Sequence, residues 1–229
     1  MRVTLLAATA LSTTMWFVVP HVAVAQSTFD WSGPYVGATL GVVSTTSDLT
    51  TSGDAVFGFS TQGALAGLTV GYNQQLNEQF VIGIEADGSL TTVDGSSTEA
   101  LPPFADADER LDSLLTLRGR LGVTNGPVLA YGTLGLAGGN ASYSALIQDF
   151  AKAGAPAEGS GFVTGVVGGA GVEVAVNDSV SIKTEGLMYS LSPLAASGDI
   201  NVNDEAKGAY TSKYTPSGLV VRTGINVHF

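Results

Sequence analysis

Cysteine is absent from this chain of 229 residues, and charged residues, basic ones above all, are scarce. Without cysteine, a disulfide scaffold, a thiolate metal site and a cysteine nucleophile are all excluded. Charged residues make up 13% of the chain, against about 25% in soluble domains. Nine Lys and Arg face twenty Asp and Glu, which gives a formal net charge of -11. This balance excludes nucleic acid as a partner, because neutralising phosphates requires clustered basic residues.

Long apolar runs are missing as well, except at the amino terminus, so no other segment approaches the about 18 residues of a helical membrane span. Arg2 precedes an apolar stretch over residues 3–19, and Ala23-Val24-Ala25 follows. These are the basic, apolar and small-residue parts of a secretory signal. A membrane anchor is the alternative, but a stretch of about 17 residues is at the lower limit for a span. We predict a cleaved signal peptide over residues 1–25 and one domain over residues 26–229.

The rest of the chain shows the period-two alternation of β-strands. Phe80, Ile82 and Ile84, for example, alternate with polar positions that include Glu85 and Asp87. Between residues 128 and 138 both parities are apolar, so the phase of that strand stays open. The alternation predicts eight strands, over residues 33–42, 63–72, 80–88, 113–123, 128–138, 162–176, 180–188 and 219–229.

The segments between these strands alternate in length. Short turns are predicted at 73–79, 124–127 and 177–179, and long polar loops at 44–60, 91–112, 140–161 and 190–217. Short turns on one rim and long loops on the other are typical of an outer-membrane β-barrel, for which eight strands is the smallest common size. We therefore predict an all-β, eight-stranded antiparallel transmembrane β-barrel with four long extracellular loops.

A soluble eight-stranded barrel such as a lipocalin is the alternative fold. Two features favour the membrane barrel. The polar parity carries Gly, Thr and charge, which suits a narrow interior better than a soluble surface. Aromatic residues also stand near strand ends, as in the aromatic girdles of membrane barrels. The predicted interfacial aromatics are Trp31, Tyr72, Phe80 and the terminal Phe229 near the short turns, and Phe162 and Tyr189 near the long loops.

The charges separate by predicted location. The long loops carry thirteen acids against four bases, and no charge falls on the lipid-facing parity. The inward parity holds four acids and four bases, which must pair to be tolerated in a low-dielectric interior. We predict an interior charge network of Glu85, Asp87, Arg118, Arg120, Glu173, Lys183, Glu185 and Arg222. Either this network is a structural plug, so that removing Arg118 costs stability, or it is a gate, so that the same change raises conductance.

Several segments also resemble a known family, and the likeness covers nearly the whole chain after the signal. The segments are Asp30-Trp31-Ser32-Gly33-Pro34-Tyr35-Val36-Gly37, Thr116-Leu117-Arg118-Gly119-Arg120-Leu121-Gly122, Gly171-Val172-Glu173-Val174-Ala175 and the close of the chain from Val221 to Phe229. Together they resemble the small opacity-type and porin-family outer-membrane β-barrels of alphaproteobacteria. The resemblance implies a bacterial outer-membrane location and a surface barrel without enzymatic activity. It also implies that the terminal Phe229 is a signal read by the outer-membrane assembly machinery.

From the network and the resemblance we expect a monomeric barrel that serves envelope integrity and contact with host or environment. Its expected partners are outer-membrane lipid, lipopolysaccharide and the assembly machinery. A narrow porin is one alternative. A loop-mediated adhesin or haem-binding protein is the other, with loop contacts at Phe57, Phe59, Phe104, Phe150 and Tyr210.

The sequence gives little evidence for a catalytic or metal site. After signal cleavage the single remaining histidine is His228, near the periplasmic rim, whereas a barrel hydrolase needs its histidine at the extracellular rim. We expect His228 to be a polar inward residue at the barrel mouth. The acidic cluster of Asp106, Asp108, Glu109 and Asp112 matches no calcium loop. The glycines at 165–171 lack the βαβ unit of a dinucleotide site. No catalytic residue, cofactor or metal is predicted.

Overall fold

The computed structural model describes residues 29–51, 56–99, 104–148, 157–202 and 205–229. The predicted signal peptide and Phe150 lie outside these residues. The side chains of Phe57, Phe59, Phe104 and Tyr210, and those of Asp106, Asp108 and Glu109, also lie outside the description. In the described part of the chain, no helix is long and apolar enough to cross a membrane.

The described residues form one antiparallel sheet that closes on itself. Each strand pairs with the next along the chain as far as β7, β7 pairs with β9, and β9 pairs with β1. Eight strands therefore close the barrel, as predicted. The strands are β1 Gly33–Thr51, β2 Val56–Gln75, β3 Phe80–Glu99, β4 Phe104–Asn125, β5 Val128–Gln148, β6 Ala157–Asn177, β7 Val180–Leu191, β8 Leu194–Val202 and β9 Glu205–His228.

The predicted long loops are largely strand, which corrects the sequence reading. The β1–β2 ladder continues to the pair Thr50 and Val56, inside the predicted loop 44–60. A ninth strand, β8, lies inside the predicted loop 190–217 and pairs with the first half of β9. Beyond the lipid-facing belt both faces of a hairpin can be polar, so the hydrophobic alternation disappears while the ladder continues.

The side chains alternate between an apolar exterior and a buried interior. Large apolar side chains point outward, with Leu68 71% exposed and Leu134 73% exposed. The phase of β5, which the sequence left open, is settled because Leu129 and Tyr131 are buried while Leu134 and Leu136 are exposed. An outward apolar face and an inward polar one are the arrangement of a membrane barrel.

Two tyrosines lie against glycines in the interior. An added Cβ at Gly171 would lie 2.6 Å from the Tyr131 ring, and one at Gly71 would overlap the ring of Tyr35. A larger residue at either glycine would push the tyrosine off the wall. The glycine-rich inward parity thus provides the space in which long side chains from other strands lie.

Candidate functional site: the charged interior

All eight predicted network residues lie inside the barrel and contact one another. They stand on five strands, and each is between 0% and 7% exposed. The structure therefore brings together all eight residues that the sequence analysis assigned to the interior. The members are Glu85 and Asp87 on β3, Arg118 and Arg120 on β4, Glu173 on β6, Lys183 and Glu185 on β7, and Arg222 on β9.

Arg118 is the centre of the network. Its Nη2 donates to Asp87 Oδ2 at 2.8 Å and to Glu85 Oε1, and its Nη1 donates to Glu185 Oε2 at 3.0 Å. Its Nε donates to Thr116 Oγ1 at 3.0 Å. One guanidinium therefore joins three carboxylates from β3 and β7, using the forked geometry that lysine lacks.

Three further cations contact these carboxylates: Lys183, Arg222 and Arg120, whose Nη1 lies 3.3 Å from Glu85 Oε2. Lys183 Nζ donates to Glu85 Oε2 at 2.8 Å and lies 3.6 Å from Glu185 Oε1. Arg222 donates from Nε to Glu185 Oε1 at 2.7 Å and from Nη1 to Asp87 Oδ1 at 2.8 Å. Glu85 and Glu185 each contact three cations, which offsets the cost of burying their charge.

Arg120 lies between two tyrosines that the sequence analysis did not include. Its guanidinium carbon is 3.9 Å from the Tyr131 ring centroid and 5.5 Å from that of Tyr35, within cation–π range. Its Nη1 donates to the Tyr35 hydroxyl at 2.6 Å, and that hydroxyl donates to Glu85 Oε2 at 2.7 Å. Its Nη2 donates to Glu173 Oε2 at 2.6 Å. Tyr35 stands on the inward parity of its strand, so the alternation itself could have placed it here.

The second carboxylate oxygen of Glu173, Oε1, accepts hydrogen bonds from a serine and an asparagine. Ser181 Oγ and Asn226 Nδ2 both donate to Glu173 Oε1 at 2.6 Å, and His228 Nε2 lies 3.4 Å from the same oxygen. Ser181 Oγ is also 2.9 Å from His228 Nε2. His228 is thus an inward residue near the short-turn end, as predicted.

This serine, histidine and carboxylate do not form a hydrolase triad. In a triad the serine contacts one ring nitrogen of the histidine and the acid contacts the other. Here Ser181 and Glu173 both approach Nε2 of His228. Glu173 and Ser181 are moreover 0% exposed, so no substrate reaches them in this structure.

Trp31 is not an interfacial aromatic, which corrects the prediction. It is fully buried in the mouth of the barrel at the short-turn end. Its indole Nε1 donates to the Gly126 carbonyl at 3.3 Å, its backbone NH donates to Gln75 Oε1 at 3.1 Å, and its ring lies 4.6 Å from that of Phe29. The reason is that Trp31 precedes β1, which begins at Gly33, so the strand alternation does not apply to it.

Tyr189 is also interior, a second correction. It is 3% exposed, and its hydroxyl lies 2.8 Å from Thr45 Oγ1. It has the inward parity of β7, and its position near a strand end does not override that parity. The remaining interfacial aromatics do face outward, with Tyr72 48%, Phe80 44%, Phe162 55% and Phe229 75% exposed.

Two apolar clusters enclose the network along the barrel. The short-turn cluster comprises Phe29, Trp31, Val81, Leu129, Tyr131 and Ala175. The long-hairpin cluster comprises Val43, Leu65, Val93, Leu111, Leu114, Ala137, Ala141, Val163, Val167, Leu187, Tyr189, Leu191 and Val220. Four acids and four bases between two apolar layers give an interior in which the formal charges of these residues balance.

No group of three or more His, Asp or Glu suited to a metal ion occurs among the described residues. The four interior carboxylates are instead engaged by the four interior cations. The chemistry that this arrangement supports is ion pairing across the barrel.

Comparison with known proteins agrees with this geometry. The family model for the outer membrane protein beta-barrel domain matches residues 5–215. The chain belongs to this family. The 31 kDa outer-membrane immunogenic proteins of Brucella melitensis biotype 1 and Brucella suis biovar 1 are each 30% identical over 217 residues, covering 88% of this chain and 85% of theirs. The protein is therefore an outer-membrane β-barrel protein of a bacterium.

Solved structures of outer-membrane proteins align with the chain at low identity. The outer membrane protease OmpT from Escherichia coli aligns with a TM-score of 0.50 and 9% identity, covering 89% of this chain and 99% of its own. OprG from Pseudomonas aeruginosa aligns with a TM-score of 0.46 and 15% identity, covering 87% and 98%. At 9% identity the OmpT alignment bears on the fold alone.

Proposed function

We propose that this protein is a structural and surface barrel of the outer membrane, closed to solutes, that serves envelope integrity and contact with host or environment. The observation that carries the proposal is the neutral, paired network between two apolar clusters. An ion crossing the barrel has to part these pairs and pass both clusters. Breaking a buried pair costs about 3–5 kcal/mol, so the resting barrel should not conduct.

The proposal includes the absence of enzymatic activity. The OmpT likeness is one of fold, while the Ser181, His228 and Glu173 arrangement places serine and acid on the same ring nitrogen. Its buried position also excludes a substrate in this state. A purified barrel that cleaves peptides or acyl esters would contradict this part of the proposal.

The partners we propose are outer-membrane lipid, lipopolysaccharide and the assembly machinery. The exterior apolar side chains, such as Leu40, Leu68 and Leu134, provide the lipid contact. Phe229 follows β9 and is 75% exposed, so its side chain is accessible to the assembly machinery. The Brucella relatives are named immunogenic, which supports display of the long hairpins to the outside.

Two measurements test this proposal. Vesicles containing the refolded protein should not swell in isotonic solutions of small sugars, whereas a porin of similar amount makes them swell. An epitope tag inserted between Thr51 and Val56 should bind antibody on intact cells, whereas the same tag between Asn177 and Val180 should bind after the outer membrane is opened. Swelling would contradict the closed barrel. If the tag between Asn177 and Val180 bound antibody on intact cells and the tag between Thr51 and Val56 did not, the proposed surface display would be contradicted.

A further inference from the structure

Buried polar atoms without a hydrogen-bond partner are concentrated on one wall of the barrel. Among the described residues nine such atoms occur, and eight of them belong to β9, β1, β2 and β3, which are consecutive in the sheet. The ninth is Nε of Arg120 on the neighbouring β4, and β5, β6 and β7 contribute none in their described parts. The eight are Thr39 Oγ1, Thr69 Oγ1, Asn73 Nδ2 and Oδ1, Ser89 Oγ, Arg222 Nη2, Asn226 Oδ1 and His228 Nδ1.

The strand register makes these residues neighbours, separated by glycines. Thr39 is opposite Gly67, and Gly67 is opposite Ser89. One step toward the long hairpins, Arg222 is opposite Gly41. The hydroxyl of Ser89 lies where a Cβ of Gly67 would be, so the polar atoms lie close to the wall.

The same pattern continues toward the short turns. Asn226 is opposite Gly37, which is opposite Thr69. Asn73 is opposite Gly83, and its Oδ1 lies over that glycine. The unpaired atoms thus form a continuous strip along the barrel, beside the charge network.

A strip of this kind needs a ligand with both donors and acceptors. Buried polar groups in native proteins are almost always hydrogen-bonded, and water serves where protein groups are out of reach. The strip offers three hydroxyls and the Asn73 amide, which donate and accept, the Asn226 amide oxygen, which accepts, the Arg222 Nη2, which donates, and one ring nitrogen of His228. Water matches this mixture, whereas an anion would leave the acceptors of Asn73 and Asn226 unpaired.

We propose that a file of ordered water molecules lies along the β9–β1–β2–β3 wall, between the short-turn cluster and the long-hairpin cluster. It hydrates the Asp87 and Arg222 side of the network, while the β5–β7 side stays dry. The two sides of the interior then differ. On the β5–β7 side the polar groups are hydrogen-bonded to protein groups alone, and on the β9–β1–β2–β3 side some of them are hydrogen-bonded to water.

The test is the sign of a stability change on removing a hydroxyl. If water pairs with Thr39 and Thr69, the variants Thr39→Val and Thr69→Val lose hydrogen bonds, and the urea midpoint of unfolding in lipid vesicles falls. If these hydroxyls are unpaired, removing them relieves a desolvation cost and the midpoint rises. Thr133→Val is the matched control, because Thr133 Oγ1 donates to the Gly119 carbonyl at 2.8 Å and its loss lowers the midpoint in either case.

A direct measurement accompanies the unfolding series. NMR in lipid nanodiscs should show magnetisation transfer from long-lived water to the hydroxyl or amide protons of Thr39 and Thr69, and none to those of Thr133. A fall in both midpoints together with these transfers supports the water file. An unchanged or raised midpoint, or the absence of transfer at Thr39 and Thr69, would overturn it.

Discussion

Arg118 and Glu185 form an ion pair of 3.0 Å across the barrel interior, although β5 and β6 separate their strands in the wall. A contact of this kind ties opposite sides of the sheet together. The backbone ladder joins neighbouring strands, whereas this pair joins distant ones. The network therefore joins strands that the backbone ladder does not connect.

Removing Arg118 should destabilise the barrel strongly. Arg118→Leu leaves Glu85, Asp87 and Glu185 one cation short in a buried setting, and breaking such a pair costs about 3–5 kcal/mol. The free energy of unfolding, from urea titration in lipid vesicles, should fall by that amount. Glu78→Gln, in an exposed turn, should change it by less than about 0.5 kcal/mol. Equal effects of the two changes would contradict a structural role for the network.

The Arg120 and Glu173 pair should show a measurable coupling energy. Their Nη2 and Oε2 atoms lie 2.6 Å apart, and both side chains are almost fully buried. A double-mutant cycle with Arg120→Met and Glu173→Gln should give a coupling of about 0.5–3 kcal/mol. The same cycle between Arg120 and the exposed Asp178 should be additive within about 0.5 kcal/mol. Additivity in the first cycle would show that the pair contributes nothing of its own.

Gly171 should not tolerate a side chain, because the Tyr131 ring lies against it. A Cβ there would be 2.6 Å from the ring, and overpacking of this kind costs about 1–3 kcal/mol. Gly132→Ala is the control, since its Cβ would meet no atom closer than 3.9 Å. Urea titration should separate the two variants clearly. If Gly171→Ala is as stable as Gly132→Ala, the tyrosine does not lie where the structure places it.

The fluorescence of Trp31 should show that its indole lies inside the mouth of the barrel. In a chain beginning at Gln26 it is the one tryptophan, because the other is Trp16. Its fluorescence should be blue-shifted and insensitive to brominated lipids, because the indole packs on Phe29 away from the bilayer. A Trp31→Phe and Phe80→Trp double variant should be quenched by the same lipids, as Phe80 faces outward. Quenching of Trp31 itself would restore the interfacial position expected from the sequence.

Whether the sequence predicts the orientation of a residue correctly depends on where that residue lies relative to the bilayer. Phe80, Ile82 and Glu85 were assigned correctly because lipid on one face and a polar lumen on the other impose strict alternation. That constraint ends beyond the belt, so β8 and the long strand extensions had no hydrophobic signature. It also does not apply to Trp31, which precedes the first strand.

The sequence does not predict which charged side chains in the interior form ion pairs, and the reason is different. The alternation selects Arg118 and Glu185 as inward residues without indicating which charges meet. The partners follow from how the sheet closes on itself, which brings β4 opposite β7. Tyr35 was accessible through parity, whereas the strand that carries Tyr131 is apolar on both parities and its phase stays open in the sequence. The contacts of both tyrosines with Arg120 depend on the glycines next to their rings.

Single-channel recording on the refolded protein, with folding verified by a heat-dependent gel shift, tests the closed interior most directly. We predict a silent bilayer for the native protein, because an ion would have to part the paired network and pass the two apolar clusters. Discrete openings in the native protein that grow when Arg118 and Arg120 are changed to Ala would contradict this account and make the network a gate.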